Sequence, residues 1–506
     1  MKKVIYYVHA FLFAIIAPLY VYISYPDRYI YVSPDSISRL VLFSFVLFVC
    51  SSFLFFALLK DHVSAGLIST CLILGILYPR YPFLFIISTI LVAALLLAVV
   101  TKRFDLLQAC IAVSTVIALY VASEFVQIQQ AASEYPDRSL ATPIEIRNPT
   151  PKLSYKPDIY YIILDAYGGE KLLNELHRFD NSPFTSALKQ RGFILPPDSR
   201  SNYLRTLHSL GSSLNMQYLD SISKTMGASA LWWPLRETLD HNETRKFLES
   251  QGYKTVVIAS GWDFTTITDV DTYKQPFPVF LNDFEEFFIS TTNLSLFSFS
   301  GKTGVSFPSY DTHRQILLYE LEQLQTIPEL ESPKFTFVHI IAPHPPFVFD
   351  AQGNSINPNY PYTIADNRYL ITPPTKYEQD YLAQLSFLNT QILEVVDAIL
   401  EKSVNPPIII IQGDHGPGIY LDAQSDTPPC FDERFSILNA YYLPAMDPET
   451  VPPDMTPVNT FRLIFDEYFS ANLELLPNHQ YFSEPEAIHQ FEDVTDRTDD
   501  ACTFPN

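Results

Sequence analysis

Long apolar runs dominate the first quarter of the chain, and only short polar or charged segments interrupt them. Five runs can be delimited: Val4–Ser24, Ile37–Leu59, Val63–Tyr78, Pro82–Val100 and Leu106–Ala122. Each is close to the roughly 20 residues that a helix needs to cross about 30 Å of hydrocarbon, and the third is the shortest. The pattern predicts an all-α transmembrane domain of about five helices over residues 1–127.

The basic residues between the apolar runs predict the orientation of this domain. They fall into a group of five and a group of three on opposite sides of the predicted membrane: Lys2, Lys3, Lys60, Lys102 and Arg103 against Arg28, Arg39 and Arg80. Because the side richer in Lys and Arg faces the cytoplasm, we expect the N-terminus inside and, after five spans, the rest of the chain outside. A re-entrant third run would reverse this topology. A cleaved signal peptide before a buried helical domain is disfavoured, because four more runs follow the first.

The pattern changes after the predicted membrane domain. Residues 128–157 lack apolar runs and are rich in Gln, Ala, Ser and Pro, which predicts a semi-extended linker. Residues 158–506 then alternate between amphipathic stretches and short, continuous runs of β-branched and aromatic residues. Four of these runs are typical of strands buried on both faces: Ile159–Asp165, Thr255–Ser260, Phe335–Ala342 and Ile408–Gln412.

The clearest helical stretch of this domain is Lys376–Lys402. Its apolar residues recur at spacings of four and three: Tyr381, Leu385, Leu388, Ile392, Val395 and Ile399. A single helix covering a sheet explains such a stripe more often than a coiled coil does. The alternation predicts an α/β domain with a mostly parallel central sheet flanked by helices. In open parallel sheets the ligand binds beyond the carboxyl ends of the strands, so the residues there are the candidates for a site.

The composition of the chain argues against nucleic-acid binding and agrees with a membrane part joined to a polar domain. The chain has 33 Lys and Arg against 55 Asp and Glu, a net charge of −22, so it offers no bulk electrostatic basis for binding nucleic acid. Hydrophobic residues make up 48% and charged residues 17%, as expected when an apolar membrane part is averaged with a polar domain. Of the five cysteines, Cys430 and Cys502 lie in the polar domain. They could form one disulfide outside the cell or remain two unpaired thiols.

Three of the predicted strands end in residues suited to metal or phosphate chemistry. Asp165 ends the first strand, and Asp414 and His415 end the fourth. Carboxylate oxygens and imidazole nitrogens are ligands of divalent cations, so the sequence predicts one metal site at this edge of the sheet. A single Asp at a strand end is more often a turn or cap residue. His344 follows the third strand in a Pro-rich loop, and His339 inside that strand is interpreted as structural.

A segment rich in hydroxyl groups, Ser201–Tyr218, lies between the first and second strands. Thr206 is placed at a helix start, where a metal ion could lower the pKa of its hydroxyl and helix N–H groups could hold an oxyanion. A Thr or Ser at a helix start is more often only an N-cap. The preceding residue, Arg205, is either a phosphate contact or a surface charge.

The order of these motifs resembles the sulfatase-like branch of the alkaline phosphatase superfamily. LDAY, T-x-x-S-L, APHPPF and GDHG follow one another after the apolar runs, an architecture similar to that of lipoteichoic acid synthases and lipid A phosphoethanolamine transferases. The resemblance implies an alkaline phosphatase-like fold and one divalent metal ion held by Asp165, Thr206, Asp414 and His415. Zn²⁺ or Mn²⁺ is expected, with Mg²⁺ and Ca²⁺ as alternatives. It also implies that Thr206 is the nucleophile and that His344 binds phosphate.

The activity that the resemblance implies is phosphotransfer at the plasma membrane. A multi-pass enzyme with its catalytic domain outside the cytoplasm would transfer a phospho-head group from a membrane phospholipid to an envelope glycan or lipid through a phosphothreonine. Two alternatives stay open: a hydrolase of phosphate or sulfate esters with the same site, and a non-catalytic ectodomain that binds an envelope glycan. The sulfatase signature needed to make formylglycine is absent around Thr206, which disfavours an ordinary sulfatase.

Overall fold

The structure is a computed structural model that describes most of the chain. The described residues are 4–24, 34–78, a few between 111 and 126, 142–146, 149–277, 279–281, 283–294, 305–306, 309–360, 362–364, 374–420 and 430–497. The chain divides into two compact units. The first comprises residues 1–137 and 279–307, and the second comprises residues 138–278 and 308–506. A segment that follows the linker therefore belongs to the same unit as the apolar helices.

Three apolar helices pack against one another in the first unit: α1 (Ile5–Ser24), α2 (Pro34–Leu59) and α3 (His62–Leu77). Among the described residues, one helix has an apolar stretch long enough to cross a membrane, Ile37–Leu59 in α2, while the apolar stretches of α1 and α3 are shorter. The fourth predicted run and most of the fifth lie outside the described residues. A domain of five membrane-spanning helices thus remains a prediction.

The second unit is built on a six-stranded sheet. Its strands are β1 (Ile159–Leu164), β2 (Lys254–Ile258), β3 (Thr272–Lys274), β4 (Lys334–Ile340), β5 (Ile408–Gly413) and β6 (Asn439–Tyr442). They are ordered β3-β2-β4-β1-β5-β6, and every neighbouring pair is parallel except β5 and β6. The predicted, mostly parallel central sheet is confirmed. Two further strand pairs are short: Val279–Phe280 with Val305–Ser306 in the first unit, and Tyr481–Phe482 with Glu492–Asp493 in the second.

Helices lie between the strands along the chain. They are α4 (Glu170–Glu175), α5 (Ser182–Gln190), α6 (Thr206–Asn215), α7 (Asp220–Met226), α8 (Trp233–Asp240), α9 (Glu243–Ser250), α10 (Asp283–Thr291), α11 (Tyr310–Leu324), α12 (Pro374–Lys402), α13 (Phe431–Phe435) and α14 (Pro457–Phe469). Of these, α10 belongs to the first unit and the others to the second. The helix predicted over Lys376–Lys402 is thus confirmed as α12.

Both faces of the central sheet are covered, which explains why its strands are continuously apolar. Tyr160, Ile162 and Leu164 of β1 point into one hydrophobic cluster together with the stripe of α12, whose six predicted residues are all buried. The residues in between, such as Tyr161, point into a second cluster formed with α6 and α14. Since neither face of β1 meets solvent, the alternation of polar residues seen in half-exposed strands is missing.

The cysteines fall into two groups. Cys50 and Cys71, in the apolar helices, are free thiols. Cys430 is disulfide-bonded, and its partner lies outside the described residues. Its Sγ also accepts a hydrogen bond from the backbone N–H of Glu433 at 3.2 Å, so Cys430 caps the N-terminus of α13.

One buried ion pair ties the start of β1 to the start of β4. Lys334 Nζ lies 2.6 Å from Asp158 Oδ2, and the two side chains are 0% and 8% exposed. Asp158 also accepts hydrogen bonds from the Lys334 backbone N–H and from the Ser332 hydroxyl. The carboxylate therefore satisfies three donors that would otherwise be buried without a partner.

We expect Asp158→Ala to lower the free energy of unfolding of the second unit by about 3–5 kcal/mol, because the Lys334 ammonium would stay buried without its counter-ion. Denaturant titration followed by tryptophan fluorescence measures this, since all three tryptophans lie in the second unit: Trp232, Trp233 and Trp262. Lys254→Met is the control. That ammonium lies 2.8 Å from Asp271 but is 63% exposed, so its loss should cost at most about 1 kcal/mol. Equal losses in both variants would contradict the prediction.

Candidate active site

The first site residue, Asp165, stands directly after β1. Its backbone N–H donates to the carbonyl of Ile340 at the end of β4, and its own carbonyl accepts from the N–H of His344. The next residue, Ala166, has a φ of 62°, so the chain turns sharply away and leaves the Asp165 side chain at the carboxyl edge of the sheet. Two backbone hydrogen bonds thus fasten Asp165 to the end of β4 and to the loop that carries His344.

The second group of site residues follows β5 in the Gly413–Gly416 turn. Asp414 Oδ1 accepts from the backbone N–H groups of Ala166 at 3.1 Å and His415 at 2.9 Å, which fixes the carboxylate. The chain is tightly packed here, since a Cβ on Gly413 would lie 2.5 Å from the Tyr167 carbonyl oxygen and one on Gly416 1.9 Å from that of Glu433. Both glycines are needed for this close approach.

Three ligand atoms converge at this edge. Asp165, Asp414 and His415 are buried, and each offers one atom within 4.8 Å of the other two. His415 Nε2 lies 3.6 Å from Asp165 Oδ1 and 3.4 Å from Asp414 Oδ2. These two oxygens are buried and have no hydrogen-bond partner among the described residues. Burying a carboxylate oxygen without a partner costs free energy, so the cluster is suited to binding a cation.

The chemistry of this ligand set fits one divalent metal ion. His415 Nδ1 lies 3.0 Å from the Gly416 carbonyl oxygen, and a hydrogen bond there orients the imidazole. With the proton on Nδ1, the lone pair of Nε2 is available to bind a metal ion. Ligand atoms at about 2.0–2.2 Å from a tetrahedral centre are separated by about 3.3–3.6 Å. The two distances from His415 Nε2, 3.6 and 3.4 Å, lie in this range. Asp165, Asp414 and His415, identified from the strand ends, therefore lie together in a geometry suited to metal binding.

Thr206 brings a hydroxyl to the same cluster. It is the first residue of α6, it is buried, and its Oγ1 lies 3.3 Å from His415 Nε2. The N-cap position of α6 belongs to Arg205 instead. The capping role considered for Thr206 is thus not what the structure has, and the hydroxyl is directed at the candidate metal ligands.

Two histidines of β4 and the following loop border the cluster. His344 is buried, its Nδ1 lies 2.6 Å from the Pro345 carbonyl oxygen, and its ring centre is 6.5 Å from that of His415. His339 Nε2 lies 3.3 Å from Asp165 Oδ2, and its Nδ1 is 3.0 Å from the Thr265 hydroxyl. The interpretation of His339 as structural missed this contact. The signal that reveals it is the register of β4 on β1, which pairs His339 with Ile163, two residues before Asp165.

A second residue that the sequence analysis missed is Arg434 in α13. Its Nη2 lies 3.3 Å from His415 Nε2, while Nε and Nη1 donate to the carbonyl oxygens of Leu204 and Gly416. The guanidinium is buried and held in place. The predicted phosphate contact, Arg205, instead donates from Nη1 to the Ser483 hydroxyl at 2.9 Å. Burial and the charge of Arg434 lower the pKa of Arg205 to about 10, so two cationic groups lie near each other beside Thr206.

The electrostatics of the cluster favour a charged carboxylate and a neutral ligand imidazole. Burial raises the pKa of Asp165, but His344, His339 and His415 lower it by more, so its net pKa lies well below the ordinary value. Burial and the Arg434 guanidinium hold the pKa of His415 below its usual value. Both protonation states are those that a metal ion requires of its ligands.

A model of the sulfatase family matches residues 157–463, more than half of the chain. No curated protein matches the sequence. The chain is similar to the C-terminal periplasmic domain of EptC from Escherichia coli in complex with Zn, with 11% identity over 71% of this chain and 98% of that one and a TM-score of 0.47. It is also similar to the integral membrane lipooligosaccharide phosphoethanolamine transferase A (EptA) from Neisseria meningitidis, with 10% identity, coverage of 86% and 76%, and a TM-score of 0.42. The chain is also similar to the phosphonate monoester hydrolase of Agrobacterium radiobacter, with 13% identity over 64% of this chain and 80% of that one and a TM-score of 0.40.

We expect Asp414→Ala to weaken binding of a divalent metal ion by at least about 100-fold, because even the residues behind metal ligands contribute about 10–100-fold to affinity. Elemental analysis of the purified full-length protein after dialysis measures the metal content. Asp397→Ala is the control, since that carboxylate is 56% exposed and pairs with Arg191 away from the cluster. Full metal content in a folded Asp414→Ala protein would rule out this site.

Proposed function

The chain belongs to the sulfatase family, and we propose that it is a membrane-anchored, metal-dependent phosphotransferase. Its donor would be a membrane phospholipid, and its acceptor an envelope glycan or lipid. The observation that carries the proposal is the contact of the Thr206 hydroxyl with His415 inside the cluster of candidate metal ligands. A threonine in this position offers an oxygen nucleophile that needs no conversion to formylglycine, and it favours phosphoryl transfer over sulfate-ester cleavage.

Before the first step the Thr206 hydroxyl gives its proton to solvent. Its Oγ1 then forms a bond to the phosphorus of the donor head group, and the bond from phosphorus to the leaving alcohol breaks. Asp165, Asp414 and His415 would hold the divalent ion, which when bound lowers the pKa of the hydroxyl and neutralises charge on the phosphoryl group. His344, tied to Asp165 through its backbone, donates a proton to the leaving oxygen. The product is a phosphothreonine and a free alcohol.

The second step reverses the first with a new alcohol. The acceptor hydroxyl gives its proton to His344 and bonds to phosphorus, and the bond from phosphorus to Thr206 Oγ1 breaks. Arg434 binds a phosphoryl oxygen in both steps, because its buried guanidinium is held beside His415 by two carbonyl groups. Arg205 adds positive charge on the same side. Fixed donors of this kind stabilise the charge that develops in the transition state.

Membrane anchoring supports a lipid donor. We propose that the chain is a multi-pass protein of the plasma membrane with the second unit outside the cytoplasm. The three packed apolar helices at the N-terminus, one of which is long enough to cross a membrane, support this proposal. A domain tethered at the interface meets its lipid substrate at a high effective concentration. A hydrolase of phosphate or sulfate esters would use the same residues and differ only in taking water as the acceptor. A non-catalytic ectodomain is disfavoured by a complete ligand cluster with the hydroxyl in contact.

We expect exposure of the full-length protein to a bacterial lipid extract to leave a phosphorylated head group on the peptide that carries Thr206. Peptide mass spectrometry would identify the donor by the mass of the adduct. Thr206→Ala should lose the adduct and at least about a thousandfold in turnover, because removing a nucleophile costs this much or more. Ser212→Ala is the matched control, since this buried hydroxyl of the same helix donates to the Ser209 carbonyl instead.

The outcomes separate the three candidate functions. An adduct that persists in Thr206→Ala would refute the assignment of the nucleophile. A metal-loaded protein that hydrolyses esters without an adduct would favour the direct hydrolase. A protein with neither adduct nor metal would favour the binding ectodomain.

We also expect Arg434→Gln to lower kcat by about 10²–10³-fold, because it removes a fixed donor that acts on developing charge. Metal content should stay unchanged, since Arg434 is not among the candidate ligands. Arg191→Gln is the control: this guanidinium pairs with the exposed carboxylate of Asp397. Steady-state kinetics with a soluble phosphodiester measure the effect. A loss of metal that accounts for the whole drop in rate would assign Arg434 a structural role instead.

A further inference from the structure

Residues 279–307 are an insertion in the second unit that belongs, by its contacts, to the first unit. We call this segment the docking arm; its described part comprises residues 279–281, 283–294 and 305–306. The chain leaves the second unit after residue 278 and returns at residue 308. The arm contains α10, whose sequence DFEEFFIST combines aromatic and acidic residues.

Aromatic side chains of the arm pack among the apolar helices. Phe284 and Phe288 are fully buried and share a hydrophobic cluster with residues of α1 and α3, including Phe13 and Tyr22. The rings of Phe284 and Tyr22 meet edge to face with centres 5.8 Å apart. Burial of an aromatic ring away from water is favourable, so both residues stabilise the contact of the arm with the helices.

Polar contacts fix the position of the arm on the helices. Glu285 Oε2 lies 2.7 Å from Arg39 Nη2, and the two side chains are 3% and 49% exposed. Asn293 Nδ2 donates to the carbonyl oxygen of Gly75 at 2.8 Å. A glutamate buried to this degree is seldom found without a partner, so the contact with Arg39 is specific rather than incidental.

The ring contact with Tyr22 and the two polar contacts lie at one end of the three-helix packing. Tyr22 is near the end of α1, Arg39 is near the start of α2, and Gly75 is near the end of α3. Lys60 lies between α2 and α3, at the opposite end. When Lys102 and Arg103 are counted with it, the end with Lys60 and the N-terminal lysines is the more basic one, so we expect the arm at the extracytoplasmic end.

We propose that the docking arm is a second attachment of the catalytic chain to the membrane helices, in addition to the linker of residues 128–157. Cutting the linker then leaves the second unit bound to the membrane, because the arm is continuous with it at residues 278 and 308. The partner is the helix packing of the same chain, through Arg39 and the aromatic cluster. The inference concerns anchoring and does not depend on the chemistry of the active site.

The test uses the full chain in native membranes, with a sequence-specific protease site inserted after Arg138 and a C-terminal tag. After complete cleavage, the membranes are pelleted and the tagged fragment is measured in pellet and supernatant. We expect the wild-type fragment to pellet. Glu285→Arg should increase the released fraction at least about tenfold, because two guanidinium groups would face each other in place of an ion pair whose carboxylate is buried.

Two further variants exclude trivial explanations. The double variant Arg39→Glu/Glu285→Arg restores the ion pair with reversed charges, and its fragment should pellet again, which shows that Glu285→Arg did not simply unfold the arm. Glu401→Arg makes the same charge reversal at an exposed position of α12 and should have no effect. Release of the wild-type fragment would overturn the proposal, and so would retention of the Glu285→Arg fragment.

Discussion

The candidate active site depends on the parallel pairing of β1 with β5. The register sets Leu164 opposite Gly413, so the next residues along the two strands, Asp165 and Asp414, come side by side at the carboxyl edge of the sheet. Two neighbouring buried carboxylates repel each other when both are charged, and one oxygen of each has no hydrogen-bond partner among the described residues. The fold is stable with this arrangement only if positive charge lies close by, and the rest of the site supplies it.

Histidine, hydroxyl and guanidinium groups lie around the two carboxylates. His415 and a divalent ion would balance one side, while His339 contacts the far oxygen of Asp165. The Thr206 hydroxyl and the Arg434 guanidinium both lie 3.3 Å from His415 Nε2, which brings the proposed nucleophile and the proposed anion-binding group to the same atom. The neutralisation of two adjacent aspartates is thus compatible with the negatively charged substrate that we propose.

The contacts of the docking arm with the apolar helices follow a different physical rule. They depend on burying aromatic rings and one carboxylate, and they join residues that are far apart in sequence: Arg39 and Glu285 are separated by 246 positions. The chain crosses between the two units after residues 137, 278 and 307. Apolar burial therefore connects the insertion to the N-terminal helices, whereas the electrostatics of the sheet edge organise the chemistry.

Short-range patterns in the sequence were enough to predict the parallel sheet, helix α12 and the cluster of Asp165, Asp414 and His415. Continuous apolar runs indicate strands buried on both faces, and the residues that follow such strands lie at the edge of the sheet where ligands bind. Both the strands and the site residues can therefore be predicted from a few neighbouring residues. His339 and Arg434 escaped prediction because their roles depend on strand register and on the packing of a distant helix. The N-cap interpretation of Thr206 and the contact of Glu285 with Arg39 were likewise decided only by tertiary structure, which alone brings together groups that local sequence leaves unrelated.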